Sequence, residues 1–254
     1  FNNVTTLKKI FVLSSGAIMN ILVALLLMII TVQIIGTPTN VIGSIEKNSP
    51  AEIAGLRAGD RIVELDNKEI NSWEDFVQEM RTKESEQIEI GVERKGNYKE
   101  FIINPIYKDG REVIGVTSKP GHNVFKSVIY GSKSTWQINS AMYSGLYKMV
   151  TGKVNFKKNV AGPIGIISLV GKTSKEGFIS FIYLAVIISI NLAVINMLPF
   201  PALDGGRILF TLIRKITGNA ISDELEGKIH LAGFAILIAL LIFVTWNDIL
   251  RLIS

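Results

Sequence analysis

Three stretches without Asp, Glu, Lys or Arg set the terms on which this chain folds: residues 11–35, 178–198 and 229–246. Backbone in a bilayer must satisfy its own hydrogen bonds, so each stretch is expected to be an α-helix. At 1.5 Å per residue the first would run about 37 Å, enough to cross with some tilt. The charged residues gather between these blocks. The expected fold class is therefore a polytopic α-helical membrane protein with three spans and a water-exposed insert. A hydrophobic fraction of 48% over 254 residues agrees with a membrane protein. The chain has no cysteine, which excludes a disulfide framework, thiol catalysis and cysteine-ligated metal. The net charge of +5 belongs in the loops of such a protein. No basic stripe is interleaved with aromatics, so the bilayer is the expected partner and nucleic acid is not.

Lys8 and Lys9 precede the first span, and Arg207, Arg214, Lys215 and Lys228 lie between the second and third. Three spans put both segments on one side, and positive charge marks that side as cytoplasmic. Residues 36–177 then face the extracytoplasmic side. The expected organisation is an N-terminal segment and first span at 1–35, a soluble module at 36–108, a connector at 109–177 and a two-span membrane domain at 178–254. Residues 109–124 read as loop, 125–150 as an amphipathic helix at the membrane surface, and 151–177 as linker. Ser14, Ser15, Gly16, Ala17 and Asn20 give the first span a small, polar face suited to packing inside a bundle. The first residue is Phe, so the chain is expected to begin after processing or to be a fragment.

The soluble module carries local folding signals. Ser49-Pro50 is a helix start. Asp66-Asn67 and Gly96-Asn97 are turn pairs. Ile88, Ile90 and Val92 alternate as one face of a strand. Ser49-Pro50-Ala51 through Ala54-Gly55-Leu56 to Ala58-Gly59-Asp60 resembles the pattern of PDZ domains in bacterial proteases. This resemblance implies an inserted α+β PDZ domain that binds extended chain ends by adding a strand to a sheet edge. Val41, Ile42, Gly43, Ser44 and Ile45 are the expected edge.

The sharpest signal is Asn196-Met197-Leu198-Pro199-Phe200-Pro201-Ala202-Leu203-Asp204-Gly205. A charge-free span runs directly into two prolines and an aspartate. Two missing amide donors break the helix, and irregular backbone at that depth must be buried in protein or line a wet cavity. An ionisable residue there reads either as a functional site or as a helix end that emerges into water with Asp204 solvated. The segment resembles the second active-site motif of the site-2 protease family, Asn-x-x-Pro-x-Pro-x-Leu-Asp-Gly, at every fixed position. The arrangement is most similar to the bacterial regulator-of-sigma-E protease branch. Ser15–Asn20 and Gly162-Pro163-Ile164-Gly165-Ile166 resemble two weaker motifs of the same family, with Ala17 where proline is usual.

That resemblance implies an intramembrane zinc metalloprotease of the bacterial cell membrane, acting in regulated intramembrane proteolysis. Asp204 is then a zinc ligand beside two histidines of a His-Glu-x-x-His helix. Asn196 is placed to hold substrate backbone or the oxyanion, and Pro199 and Pro201 shape the broken segment. The implied substrates are single-span membrane proteins, such as anti-sigma factors or remnant signal peptides, with the PDZ domain filtering them by size. The sequence departs from the family in its histidines: only His122 and His230 occur, far apart and outside any His-Glu-x-x-His. Both read as surface or packing residues. Either the zinc helix lies upstream of Phe1, leaving this chain inactive by itself, or the protein is a catalytically inactive, membrane-anchored PDZ scaffold. A small transporter is a third reading, and it expects a second broken helix in a related half.

Overall fold

The computed structural model describes residues 5–82, 86–108, 111–154, 162–218 and 222–253. The N-terminal residues 1–4 and residues 155–161 of the expected linker lie outside that range. The chain divides into two compact units. One comprises residues 32–127 and the other residues 1–31 with 128–254.

The membrane unit is helical. Helix α1 (Thr6–Ile35) buries Ala17, Ala24, Met28 and Thr31 along one stripe. Ala17 lies on the packed face, whereas Ser15 and Gly16 are exposed. The hydroxyls of Ser14, Ser15 and Thr31 donate to carbonyls three or four residues back, so none is left unpaired in an apolar helix. Helix α4 (Val124–Val150) takes the stretch expected to be amphipathic. Its Gly131 lets it sit close to α1, since a Cβ there would lie 2.8 Å from the Ile29 side chain. Phe125, Ile129, Trp136, Tyr143 and Tyr147 form an exposed stripe at helical spacing along α4.

Residues read as linker fold into helix α5 (Pro163–Glu176). Pro163 sits at its first turn, where no N–H is needed. Helices α6 (Phe178–Asn196), α7 (Asp204–Thr217) and α8 (Asp223–Ile253) complete the unit. α1, α6 and α8 are long and apolar enough to cross a membrane. α6 is the most enclosed of them, with Val186 and Ile190 inaccessible.

The soluble unit is an antiparallel sheet with two short helices. Its strands are β1 (Thr37–Ile45), β2 (Arg61–Leu65), β3 (Lys68–Glu69), β4 (Ile88–Arg94), β5 (Asn97–Ile103) and β8 (Val116–Gly121). The order is β5-β4-β2-β1-β8, with β3 on β2. β6 (Ile106–Lys108) and β7 (Arg111–Val113) make a separate hairpin. Ile88, Ile90 and Val92 point into the core with Ile42, Ile62 and Leu65. Helix α2 (Pro50–Ala54) starts as expected, with the Ser49 hydroxyl accepting from the Glu52 amide at 3.3 Å. It ends at Gly55 with φ +92°. Gly55 and Gly59 are required by their positive φ rather than by crowding, because a Cβ at Gly59 would meet nothing within 4 Å.

Asp66 and Asn67 both have positive φ, the geometry of a tight two-residue hairpin turn. The second turn falls at Lys95-Gly96, one residue earlier than expected, and pairs Arg94 with Asn97. Helix α3 (Trp73–Arg81) is capped by the Ser72 hydroxyl. Asp60 accepts from the Arg57 amide at 2.8 Å, and Arg94 grips it with Nε at 2.6 Å and Nη2 at 2.7 Å. Burial alone would raise the Asp60 carboxyl. The Arg94 hydrogen bonds and the Arg57 amide outweigh it and hold the carboxyl below the usual carboxylate range.

A further expectation fails at residues 109–124. Residues 111–113 and 116–121 are strands, not loop. β8 contains Pro120, which an edge strand tolerates because its outward amide needs no partner. It pairs with β1 from Thr37–Gly121 to Ile45–Val116.

Candidate active site

Helix α6 ends at Asn196, and its last turns close through Met197 and Leu198, whose amides donate to Val194 and Ile195 at 3.2 and 3.0 Å. Beyond them Pro199 and Pro201 have no N–H to give. Phe200 donates back to Leu198 at 2.7 Å and Leu203 to Phe200 at 3.2 Å, folding residues 197–203 into a compact turn between two helices. Asp204 is the first residue of α7. Asn196 and Asp204 thus stand half-buried at the two ends of the turn, with Pro201 half-buried and Pro199 exposed between them. Among the described residues the Asp204 carboxylate has no hydrogen-bond or ion-pair partner.

The turn closes only because its neighbours are small. A Cβ on Gly205 would run into the carbonyl oxygens of Met197 and Leu198, and one on Gly206 into that of Phe200. On α8 a Cβ at Gly233 would lie 2.5 Å from the Pro201 ring. These are backbone and ring atoms, which have no rotamer to escape into. Ala202 has φ +76°, a conformation costing an L-residue roughly 1–2 kcal/mol. Its amide donates to His230 Nδ1 of α8 at 2.8 Å. The other ring nitrogen lies 3.6 Å from Glu226 Oε1, one turn back on α8. Glu226 Oε2 in turn accepts from Arg214 Nη2 of α7. Phe210 of α7 stacks obliquely on the imidazole at 5.4 Å.

His230 was expected to be an ordinary surface or packing residue. It is packed, and it also bonds the motif turn. The available signal was the Glu226, His230, Gly233 spacing, which places all three on one helix face. His122 donates from Nδ1 to the Gln33 carbonyl at 3.0 Å, at the end of α1. The Gly162–Ile166 motif opens α5 without a cap of its own. Asp248 of α8, 3% exposed, supplies one by accepting from the Gly165 amide at 2.7 Å.

Zinc is the metal that this motif implies. A carboxylate with no partner among the described residues suits one ligand of a zinc set. Among the described residues no group of three His, Cys, Asp or Glu side chains stands close enough to hold a metal ion. Both histidines of the chain are engaged elsewhere. The residues present therefore fit one ligand position, not a complete site.

The peptide-docking edge expected at Val41–Ile45 needs correction. β1 is paired to β8 along its length and to β2 at Val41, so it is an interior strand of the sheet rather than an edge. Gly43 sits so close to β8 that a Cβ would lie 2.7 Å from the Ser118 carbonyl oxygen. The strand at this end of the order is β8, beyond β1. Between β8 and α3 lies a groove of about 580 Å³, walled by Trp73, Phe76, Val77 and Met80 on one side and Ile114 and Val116 on the other. Ser44 and Ile45 contribute to its wall.

A broken membrane helix with a carboxylate at its break, in a chain with a PDZ-type sheet inserted between spans, defines the class: an integral-membrane protein with an inserted PDZ domain. The profile of peptidase family M50 matches residues 1–240. The chain belongs to that family, the site-2 zinc metalloproteases. It is 33% identical over 253 residues to the regulator of sigma-W protease RasP of Bacillus subtilis, covering 96% of this chain and 60% of that one. It is 32% identical over 263 residues to the zinc metalloprotease RasP of Oceanobacillus iheyensis, covering 99% and 62%. A Clostridium acetobutylicum relative is 34% identical over 253 residues, covering 98% and 74%. The chain thus spans about 60% of the length of the two RasP proteins. A solved PDZ domain of an SdrC-like protein from Listeria monocytogenes aligns with 32% of this chain and 88% of its own at 25% identity, with a TM-score of 0.29. The PDZ assignment rests instead on the strand order and on the Ser49–Ile62 pattern.

Proposed function

We propose that this chain carries the carboxylate ligand and the substrate-filtering domain of an intramembrane zinc protease that cleaves single-span membrane proteins within or near the bilayer. The observation that carries the reading is the motif turn, which breaks a membrane helix and leaves Asp204 half-buried at the start of α7, with no partner among the described residues. Asp204 is one zinc ligand. The other two are histidines of a His-Glu-x-x-His helix outside these 254 residues, which by themselves are expected not to cleave. When bound, zinc acidifies a water and polarises the scissile carbonyl. Asn196, at the other end of the turn, is placed to hydrogen-bond substrate backbone. Pro199 and Pro201, with no N–H to give, keep the segment out of helix and shape the turn between Asn196 and Asp204.

The soluble unit faces the extracytoplasmic side, as the Lys and Arg of the other loops suggest. Its β8–α3 groove takes an extended chain end by strand addition, with side chains entering between Phe76, Met80 and Val116. Anti-sigma factors already trimmed outside the membrane and remnant signal peptides are the kind of substrate such a filter would admit.

The intact protein, reconstituted into liposomes with a single-span substrate, is expected to cleave it, to stop with 1,10-phenanthroline and to resume on adding zinc. Cleavage that ignores the chelator would reject the zinc reading, and a complete zinc site without cleavage would favour the scaffold. Val77→Glu, which puts a charge in the groove, is expected to change the ratio of cleavage between a trimmed substrate and one keeping its extracytoplasmic domain. An unchanged ratio would remove the filter role from the groove.

A further inference from the structure

We propose that His230 is a positioning residue for the active site, a strut on α8 that fixes the Pro199–Asp204 turn and hence the direction of the Asp204 carboxylate. This rests on the reading of Asp204 as a zinc ligand. Four observations converge on it. The Ala202 amide, two residues before Asp204, donates to His230 Nδ1 at 2.8 Å. Ala202 is held at φ +76°, so the turn relaxes to another backbone conformation unless something retains it. Pro199 and Pro201 have no amides, which makes Ala202 one of few groups through which the turn is anchored from outside. Gly233, one turn further along α8, admits Pro201 and brings the two segments together.

The imidazole is itself oriented. An Nδ1 that accepts an N–H carries its lone pair there, so the ring proton sits on Nε2. Nε2 faces Glu226 Oε1 at 3.6 Å, Glu226 is held by Arg214 of α7, and Phe210 covers the ring. The set links α7, which begins with Asp204, to α8 through the turn between them. Histidine meets a requirement that an apolar residue does not. It offers an acceptor in the plane of the ring one bond beyond Cγ, while its second nitrogen faces the Glu226 carboxylate at 3.6 Å, beyond hydrogen-bond distance.

The acceptor's place on the side chain gives the test. Asparagine carries Oδ1 where histidine carries Nδ1, and glutamine carries its oxygen one bond further out, where Nε2 stands. The two amides are equally polar, so a difference between them reports the geometry of the bond and not the burial of a polar group. In the intact protein His230→Leu is expected to speed hydrogen exchange of the Ala202 amide roughly tenfold, the loss of one buried hydrogen bond. It is expected to lower kcat on a single-span substrate on the order of ten- to a hundredfold at little-changed KM, as for residues that orient a metal ligand. His230→Asn restores both and His230→Gln restores neither. Exchange at Ala202 within twofold of the parent in His230→Leu, or equal rescue by Asn and Gln, overturns the strut. The exchange readout needs no catalysis: if it behaves as stated while the parent protein cleaves nothing, the protease reading fails and the strut stands.

Discussion

Replacing Asp204 by alanine in the intact protein will abolish cleavage and leave the fold and membrane insertion as they are. The carboxylate is half-buried and has no partner among the described residues, so its removal orphans no donor there and opens no core cavity. What is lost is chemical. What would be lost with Asp204 is a ligand that holds zinc in place, and with it the polarisation of the carbonyl and activation of the water that bound zinc would supply. That contribution is several kcal/mol, so the rate should fall on the order of a thousandfold or more. Assay of a single-span substrate in liposomes, with thermal unfolding in detergent as the control, measures both sides of the claim. A variant that cleaves at near-parental rate would show that Asp204 is a solvated helix terminus.

Gly206→Ala is the second large effect, and it has the opposite signature. A Cβ at Gly206 collides with the Phe200 carbonyl. The backbone has to move, at about 1–3 kcal/mol for overpacking of this kind. The movement falls within the turn that positions Asp204, where a displacement of about 1 Å is enough for a hundredfold loss in rate. Stability and activity should therefore fall together. Gly171→Ala is the matched control, a helical glycine of α5 whose added Cβ meets nothing within 4 Å. It should leave cleavage unchanged and stabilise α5 slightly, by roughly 0.5–1 kcal/mol. Retention of both stability and activity in Gly206→Ala would mean that the turn is softer than its packing implies.

What was legible in the sequence had local causes. Charge-free length gives the spans. Ser49-Pro50 gives the start of α2, and two prolines after a span give the broken segment, because each acts through its own missing donor or hydroxyl. The remainder depended on distant partners. β8 exists because it pairs with β1 some eighty residues earlier, and its Lys119-Pro120-Gly121 end reads as loop when that pairing is unseen. For the same reason Val41–Ile45 looked like an open edge. α5 was read as part of a linker, although Pro163 sits at a first turn, where proline opens a helix. Asp60 stood in the PDZ-like pattern, but nothing local pointed to Arg94, the cation that pairs with it from β4. At the active site the motif named Asp204, Asn196 and the prolines, yet not His230, which touches the turn from α8. The two glycines after the aspartate gain a reason only once the carbonyls of Met197, Leu198 and Phe200 are in place.

The most direct test of the central claim is the zinc content of the purified intact protein and of its Asp204→Ala variant, measured per chain by elemental analysis. About one zinc per chain in the parent, falling well below that in the variant, is what a site with Asp204 as ligand requires. Equal zinc in both proteins would remove Asp204 from the ligand set and the proposed catalytic centre with it.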